Sequence, residues 1–421
     1  MKLPMITNMI TFKQHYITEA SAEGKNLHMT HIEDQVLYGG VSGAREAITA
    51  LRSMRDMLAG NSEQSYDIAA KFDGAPAIFV GTDPSDGKFF VAKKGIFNKN
   101  PKVYKTEADV RADTTGDLAD KLTTALKYFP KLGIQGVLQG DLAYTAQDLK
   151  DESYDGNEYL TFQPNTIVYA IPKDSALAKT IKASKIGVFF HTQYTGDTFE
   201  SMKASYGFNS KVLNKTPDVW FTDTYIRDLS GKATLTAAET KELTSVLSKA
   251  GKIFQSISGS TLKQIEENPT LAQTLETYNN TLVRKGESIT DTTQHVKDLL
   301  VWIKAKAQKD IDSKKSEAGK TSATTKRDEF LKFFSEENKK NLALIYELQN
   351  AIVQAKLIII EKLEDLKKME TFVRTADGFK VTGQEGFAIN DKIKQNVVKL
   401  VDRMSFSRNN FDPSIIKGWE R

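Results

Sequence analysis

The distribution of proline constrains the fold of this chain more than any other single feature. Nine of the 10 prolines lie at or before Pro269, and the last is Pro413. Between them the chain is rich in Lys, Glu, Leu, Ala and Gln, with apolar residues at helical spacing, as in NLALIYELQNAIVQAKLIIIEKLEDLKKME. Because proline breaks helix interiors and these residues favour helices, we predict an all-helical block over residues 231–372.

Two signals predict where helices begin and end inside this block. Thr234 or Thr236 is a suitable N-cap for the first helix, since an acidic turn follows both. The polar run DSKKSEAGKTSATTKRDE is expected to form a loop or flexible joint.

The rest of the chain has a different pattern. Residues 65–230 contain short β-rich runs, such as APAIFVG, GVLQGDL, NTIVYAI and KIGVFFHTQY, between Gly, Pro, Asp and Asn turns. Residues 373–421 return to strand character in FKVTGQEGFAI and NVVKLVDRMSF. We expect these late strands to rejoin the earlier sheet, which makes the helical block an insertion. The predicted fold is α+β with a mostly antiparallel sheet, preceded by a helical lead-in over residues 1–64.

Composition excludes several kinds of site. The chain has no cysteine, so disulfides, thiolate zinc sites and cysteine nucleophiles are excluded, which fits a reducing cytoplasm. The net charge of +4 permits an acidic partner such as nucleic acid without requiring one. We find no apolar run long enough to span a bilayer and no signal-peptide cleavage site, so we expect a cytoplasmic protein without a membrane partner.

One lysine lies in an unusual setting. Lys71, in AAKFDGAP, comes two residues before an Asp-Gly turn and between two predicted strands. It is either a surface charge on an edge strand or a nucleophile held at the mouth of a sheet. An amine attacks phosphorus only when neutral, so a nucleophilic lysine needs burial or neighbouring cations to lower its pKa.

Lys71 opens a series of six short elements. After KFDG come VAKKG with Lys94, VLQGDLAY with Asp141, IGVFFHTQY with Phe190, EGFAI with Glu385, and VVKLV with Lys399. This series resembles the covalent nucleotidyltransferase superfamily: ATP-dependent DNA ligases, RNA ligases and mRNA capping enzymes. The chain is also similar to tailed-phage proteins of unassigned function in GDLADKL, NTIVYA and KLVDR.

The resemblance implies an antiparallel-sheet nucleotidyltransferase core, like that of ATP-grasp-like ligases, with ATP and Mg²⁺ as cofactors. The residues that it implies to be catalytic are Lys71, Asp73 and Lys399. Those implied to bind the nucleotide are Lys71, Gly74, Lys94, Phe190, Glu385 and Lys399, and those implied to bind the metal are Asp141 and Glu385. Phe189 and Phe190 alternate faces of their strand, so the choice of the base-stacking ring between them stays open.

Four positions depart from the family pattern. Lys93 replaces a serine, the third element keeps Asp141 as its one acid, His191 replaces an aspartate, and Val401 replaces a second lysine. These departures concern metal and nucleotide contacts, not the covalent step. Structural explanations stay open for both acids: Asp141 as a strand-end acid, and Glu385 as a hairpin residue.

Two further clusters allow both a functional and a structural explanation. His28 and His31, followed by Glu33 and Asp34, could ligate a metal or form a turn and helix start. The loop KKGIFNKNPKVYK, with its five lysines, could bind phosphate or carry solvated charge.

The length of the C-terminal segment bears on the class of enzyme. About twenty residues follow Lys399, too few for a five-stranded OB-fold, so we expect no C-terminal OB-fold. In the superfamily that the chain resembles, DNA ligases and capping enzymes normally carry an OB-fold, whereas RNA ligases more often have a helical accessory domain. The resemblance therefore implies an RNA ligase-like enzyme that joins 5′-phosphate and 3′-hydroxyl ends through a lysyl-AMP intermediate. It would act on RNA more readily than DNA, in the cytoplasm of an infected host cell if the chain is phage-encoded.

Other functions stay open. The enzyme alternatives are a DNA ligase-like protein and a nucleotidyltransferase whose acceptor is not a nucleic acid. A third alternative is a catalytically idle phage protein that binds nucleic acid or has a structural role. The choice of ATP over GTP, the role of the helical block and the oligomeric state also stay open.

Overall fold

The computed structural model describes residues 29–61, 66–206, 210–226, 233–391 and 397–420. These residues divide into two compact units, each discontinuous in sequence. The helical unit comprises the described parts of Thr30–Ser65 and Ser230–Lys362, and the sheet unit those of Tyr66–Leu229 and Leu363–Arg421, with Met29.

In chain order the helices are α1 (Gln35–Tyr38), α2 (Gly40–Leu58), α3 (Glu107–Asp113), α4 (Gly116–Tyr128), α5 (Ala176–Ala183), α6 (Ala237–Ser256), α7 (Gly259–Glu266), α8 (Pro269–Lys285), α9 (Thr292–Ser313), α10 (Glu317–Leu331) and α11 (Glu336–Glu364). The strands are β1 (Thr30–His31), β2 (Tyr66–Lys71), β3 (Ala77–Thr82), β4 (Phe89–Ala92), β5 (Val137–Thr145), β6 (Lys150–Tyr154), β7 (Asn157–Phe162), β8 (Ile167–Pro172), β9 (Ile186–Thr195), β10 (Lys203–Tyr206), β11 (Val219–Asp223), β12 (Tyr225–Ile226), β13 (Glu370–Thr375), β14 (Gly378–Val381), β15 (Gly386–Asp391) and β16 (Val397–Leu400).

Capping residues define the helices of the helical unit. Thr236 is the N-cap of α6 and forms a capping box with Glu239, which confirms one of the two predicted caps. Asn268 caps α8, Pro269 occupies its first turn, and Gly286 ends it in the left-handed conformation. Helix α2 packs against α6 and α7, so the predicted helical lead-in shares a unit with the helical block.

The polar run predicted as a loop is mostly helical, which corrects that prediction. Ser316 accepts a hydrogen bond from the Gly319 N–H at 3.1 Å and so starts α10. Of the residues in α10, Ala323 is the one that is buried. The Ser316 N-cap and packing against α9 therefore hold this helix, although it buries little apolar surface.

Helix α11 forms the core of the helical unit. By length and composition it could cross a membrane, which corrects the expectation that no apolar run is long enough, but 56% of its most apolar window is buried in this structure, as in a core helix. The side chains of Lys356 and Glu33 are both almost fully buried, and the lysine donates to both carboxylate oxygens at 2.8 and 2.9 Å. This contact anchors the segment before α1 to α11.

The sheet unit contains three sheets. The first includes β16, β15, β2 and β12 in that order, and the third has the order β14-β13-β8-β7-β6. The second has the order β10-β9-β5-β3-β4, with β11 added parallel to β9. The other strand pairings described within these three sheets are antiparallel. The predicted α+β class is confirmed, and so is the return of late strands, because β15 pairs with β2.

Candidate nucleotide site

The pairing of β2 with β15 positions Lys71. It is the last residue of β2, and its partner in register is Gly386, the first residue of β15. Glu385 therefore lies next to the end of β2, and its carboxylate accepts a hydrogen bond from Lys71 Nζ. Both side chains are largely buried, with 24% and 14% exposed. Two residues 314 positions apart in sequence thus form an ion pair.

The glycine of the KFDG motif allows the turn after Lys71 to lie against β5. A Cβ placed on Gly74 would be 2.5 Å from Cβ of Asp141 and 3.1 Å from the carbonyl oxygen of Leu142. The turn is bonded to β5 on both sides, since Ala75 N–H donates to Leu142 O and Leu142 N–H donates to Pro76 O. A side chain at position 74 would therefore displace either the turn or Asp141.

Asp73 fixes the other side of this turn. It is 5% exposed, and its carboxylate accepts hydrogen bonds from the backbone N–H groups of Thr166 and Ile167 and from Asn165 Nδ2, at 2.6 to 2.9 Å. Its own N–H donates to the hydroxyl of Tyr169. Asp73 was predicted to be catalytic, but its contacts assign it to positioning the Lys71 turn on β8.

A pocket of about 240 Å³ opens between the first and second sheets. Residues 70–72 line it from β2 and the turn, while Asp141 and His191 line it from β5 and β9. Lys94, from the segment after β4, also faces it. The predicted residues Lys71, Lys94 and Asp141 therefore lie around one cavity.

Lys399 lies on the face of the first sheet that carries Lys71. On β16 it pairs in register with Ala388 of β15, which pairs with Ala69 of β2. Ala69 and Lys71 are two residues apart, so their side chains point to the same side of the sheet. Tyr206, which lines the pocket, packs against Ala69 and Ala388 on that side.

The two phenylalanines of β9 point to opposite faces, and the choice of Phe190 as the stacking ring is wrong. Phe190 is fully buried in the core that the second sheet forms with α4, 6.2 Å from Phe129. Phe189 lines the pocket and stacks on Phe72, with ring centroids 4.3 Å apart. Packing against α4 determines that Phe190 is the ring in the core. The alternation of the strand alone does not show which of the two rings it is.

The carboxylates control the electrostatics of the site. Burial alone would lower the pKa of Lys71, but Glu385, with smaller effects of Asp141 and Asp73, holds this pKa above its ordinary value. Burial raises the pKa of Glu385 to about 7, although the Lys71 charge pulls it down. The expected lowering of the Lys71 pKa is therefore wrong for this structure, because three carboxylates surround the amine.

The site offers few metal ligands. Within the described ranges, no group of three or more His, Asp or Glu side chains is arranged to hold a metal ion. His191 Nε2 lies 3.5 Å from a carboxylate oxygen of Asp141, and Glu385 is engaged by Lys71. Mg²⁺ commonly binds through one or two carboxylates together with substrate phosphates. These donors therefore fit Mg²⁺ that is bound together with a nucleotide. Asp141 is the carboxylate that faces the pocket.

The other predicted clusters have structural partners. In the helical unit Glu33 pairs with Lys356, and Asp34 accepts from Gln349, which argues against their role as metal ligands. His28 lies outside the described residues. In the lysine-rich loop, Lys93 and Lys102 both bind Asp113.

The loop's remaining lysines differ in their surroundings. Lys105 binds both Asp83 and Asp86, so its charge is also compensated. Lys94 is the member of this loop that lines the pocket.

Three pocket residues carried no signal as binding residues in the sequence. Gln139 accepts a hydrogen bond from the Tyr194 hydroxyl at 2.8 Å, and it precedes Asp141 by two positions on the same face of β5. Tyr206 and Thr224 belong to segments without a recognisable motif. The two-residue spacing from Asp141 could have predicted that the Gln139 side chain faces the pocket, whereas no sequence motif marks Tyr206 or Thr224.

Comparison with known proteins gives a family without a described activity. Residues 26–414 match the model of one family, described as a family of unknown function (DUF6267). No curated protein matches the chain. No solved structure matches it either.

Proposed function

The chain belongs to the family of unknown function DUF6267, and from its site we propose that it is an ATP-dependent, lysine-adenylating nucleotidyltransferase. The observation that carries this proposal is the convergence of Lys71, Lys94, Asp141 and Glu385 on one place in the sheet unit. They come from four separate segments of the chain. A surface lysine on an edge strand would need neither the buried partner nor the pocket.

The first proposed step transfers a proton. Lys71 must lose its proton to act as a nucleophile, and Glu385 accepts the hydrogen bond from its Nζ. A carboxylate with a pKa of about 7 is suited to accept that proton near neutral pH. We therefore assign Glu385 as the base, in addition to the predicted contact with the nucleotide.

The second proposed step forms the lysyl-AMP. The neutral amine of Lys71 attacks the α-phosphorus of ATP, so that a P–N bond forms, the bond between the α-phosphorus and the bridging oxygen breaks, and pyrophosphate leaves. The nitrogen releases one further proton to solvent as the lysyl-AMP forms. Lys94 in the pocket would offset phosphate charge, and Lys399 is a second candidate cation on the same face of the first sheet. Bound Mg²⁺, held by Asp141, would neutralise charge on the leaving group.

The proposed acceptor is a 5′-phosphate end of RNA, to which AMP is passed before a 3′-hydroxyl displaces it. The support is the resemblance to RNA ligases and a modest excess of positive charge in residues 303–340, which contain 11 Lys and Arg against 7 Asp and Glu. A DNA end or another acceptor fits the same pocket chemistry.

Intact-mass spectrometry after incubation with ATP and Mg²⁺ tests the covalent step. We expect a species heavier by one AMP that is absent from Lys71→Ala and retained in Lys99→Ala, a matched change at an exposed lysine. Parallel incubation with GTP decides the nucleotide. An adduct that persists in Lys71→Ala would show that another residue carries the AMP.

The Lys71–Glu385 ion pair also favours a second candidate, a protein that binds nucleotide without reacting. A lysine whose pKa is raised is protonated at rest and does not attack phosphorus. Under this alternative, ATP would raise the melting temperature while the mass of the chain stays unchanged. The same samples therefore separate the two candidates.

A further inference from the structure

Thr224 is a buried polar residue that the proposed chemistry does not use. It is 3% exposed and lies between β11, which pairs with β9 of the second sheet, and β12, which pairs with β2 of the first. Its carbonyl oxygen accepts the N–H of Ala70 at 2.8 Å. Thr224 therefore lies where the chain crosses between the two sheets, beside the residue that precedes Lys71.

The described structure shows no role for the hydroxyl of Thr224. Oγ1 is buried without a hydrogen-bond partner among the described atoms, and the residue lines the Lys71 pocket. Leaving a buried hydroxyl unpaired is unfavourable, and such groups in native proteins almost always have a partner. A valine of the same shape would fill this position without that cost. The hydroxyl therefore points to a partner that enters the pocket.

The surroundings of Thr224 indicate which part of a nucleotide it would meet. Lys71 and Lys94 supply the positive charge that phosphates need. The neighbour of Thr224 in sequence pairs in register with Ala69, against which Tyr206 and Met29 pack. Met29 and Tyr206 give this part of the pocket an apolar surface, and the His191 ring lies 6.1 Å from the Tyr206 ring, so aromatic faces are present for a base.

We propose that the Thr224 hydroxyl is a hydrogen-bonding contact for the nucleoside part of the bound nucleotide. This inference rests on the proposed function, since it takes the pocket to be a nucleotide site. A threonine hydroxyl both donates and accepts, so the contact contributes to affinity for adenine and guanine nucleotides alike. The Thr224 backbone is held by Ala70, so the residue that carries the hydroxyl is fixed beside the pocket before the ligand arrives.

The test compares Thr224→Val, which removes the hydroxyl and keeps the shape, with Thr224→Ser, which keeps the hydroxyl. Calorimetry would measure binding of the α,β-methylene analogues of ATP and GTP, which cannot release pyrophosphate, and of tripolyphosphate. We expect Thr224→Val to bind both nucleotides about 3- to 10-fold more weakly, the factor of one net hydrogen bond. Tripolyphosphate affinity should not change, and Thr224→Ser should bind like the wild type.

Each other outcome overturns the inference. Equal nucleotide affinity of Thr224→Val and wild type removes the contact but leaves the proposed function intact. If the wild type binds tripolyphosphate but neither nucleotide, the proposed function fails as well. A lower melting temperature of ligand-free Thr224→Val would reveal a structural partner for the hydroxyl, and weaker tripolyphosphate binding would reveal a disturbed pocket.

Discussion

At the scale of single residues, a glycine and a carboxylate position the lysine of the site. Gly74 lets the turn lie against Asp141, and Glu385 holds the lysine in place. Each can be tested without measuring catalysis, because each has a consequence for stability.

Gly74→Ala should destabilise the protein by about 1–3 kcal/mol, the usual cost of forcing extra volume into a packed site. Its Cβ would lie 2.5 Å from Cβ of Asp141, so the turn or the strand must move. Gly259→Ala is the matched control, since its Cβ would meet Val41 at an ordinary 3.9 Å. Urea denaturation of both variants measures the difference. A Gly74→Ala protein as stable as the control would show that this contact is easily relieved.

Glu385 should make stability depend on pH in a defined window. Its folded pKa of about 7 lies above the ordinary value of 4.5, because burial disfavours the carboxylate. The folded state therefore holds a proton that the unfolded state releases, and this contribution is full below pH 4.5 and lost as pH rises through 7. In Glu385→Gln the contribution is absent. Melting temperatures of both proteins below pH 4.5 and above pH 7 should show that the wild type loses stability relative to the variant as pH rises. The same pH dependence of melting temperature in both proteins would contradict this.

At the scale of elements, the turn between β2 and β3 is held by strands from different sheets. Its glycine side is bonded to β5 and its aspartate side to β8. Together with β15, which pairs with β2, these two strands set the position of Lys71. A change in any of the three would alter the pocket.

Asp73→Asn tests the contact with β8. The amide would present an N–H₂ group or a single oxygen to the N–H groups of Thr166 and Ile167, which now share one carboxylate oxygen. Loss of these charge-assisted bonds should cost about 1–3 kcal/mol, measured by thermal or urea unfolding. Asn165→Ala removes one of the donors and should cost less. If both variants lose the same amount of stability, the contact between Asp73 and Asn165 accounts for the whole effect.

The order of motifs in the sequence predicted much of this site, but not its details. Lys71, Lys94 and Asp141 were selected because they follow one another in a series, and the fold brings them together. The choice of Phe190 failed because strand alternation separates two faces without saying which face packs on α4. The irregular register between β5 and β9, with shifts at Gln139/Gly140, cannot be read from sequence periodicity.

At the scale of the whole molecule, each unit is assembled from distant parts of the chain. The helical block predicted as an insertion shares its unit with α2, and β13 begins at Glu370, inside the predicted block. Residues at the end of α11 also serve the sheet unit, since Glu364 accepts the N–H of Gln384, next to Glu385. An informative deletion must follow these units.

A sheet unit made of residues 66–229 joined by a flexible linker to residues 363–421 should fold and keep self-adenylation, while losing transfer to nucleic acid ends. The reason is that all the pocket residues except Met29 lie in these two segments. Deleting 231–372 alone should give an insoluble protein, because α2 loses its partners and the third sheet loses half of β13. Circular dichroism and intact mass measure folding and labelling. A soluble sheet unit without the adduct would assign the helical unit a part in the first step.

The pairing of β2 with β15 also has a consequence for biosynthesis. A ribosome adds roughly 5–20 residues per second, so Glu385 is made roughly 15 to 60 s after Lys71, from which it is separated by 314 positions. Throughout that interval the lysine lacks its partner strand, and a half-made chain carries no assembled pocket. We expect stalled nascent chains that end before Gly386 to be cleaved by protease near β2, whereas chains released at full length resist. Early protection would show that pairing with β12, which is made much earlier, is enough to shield β2.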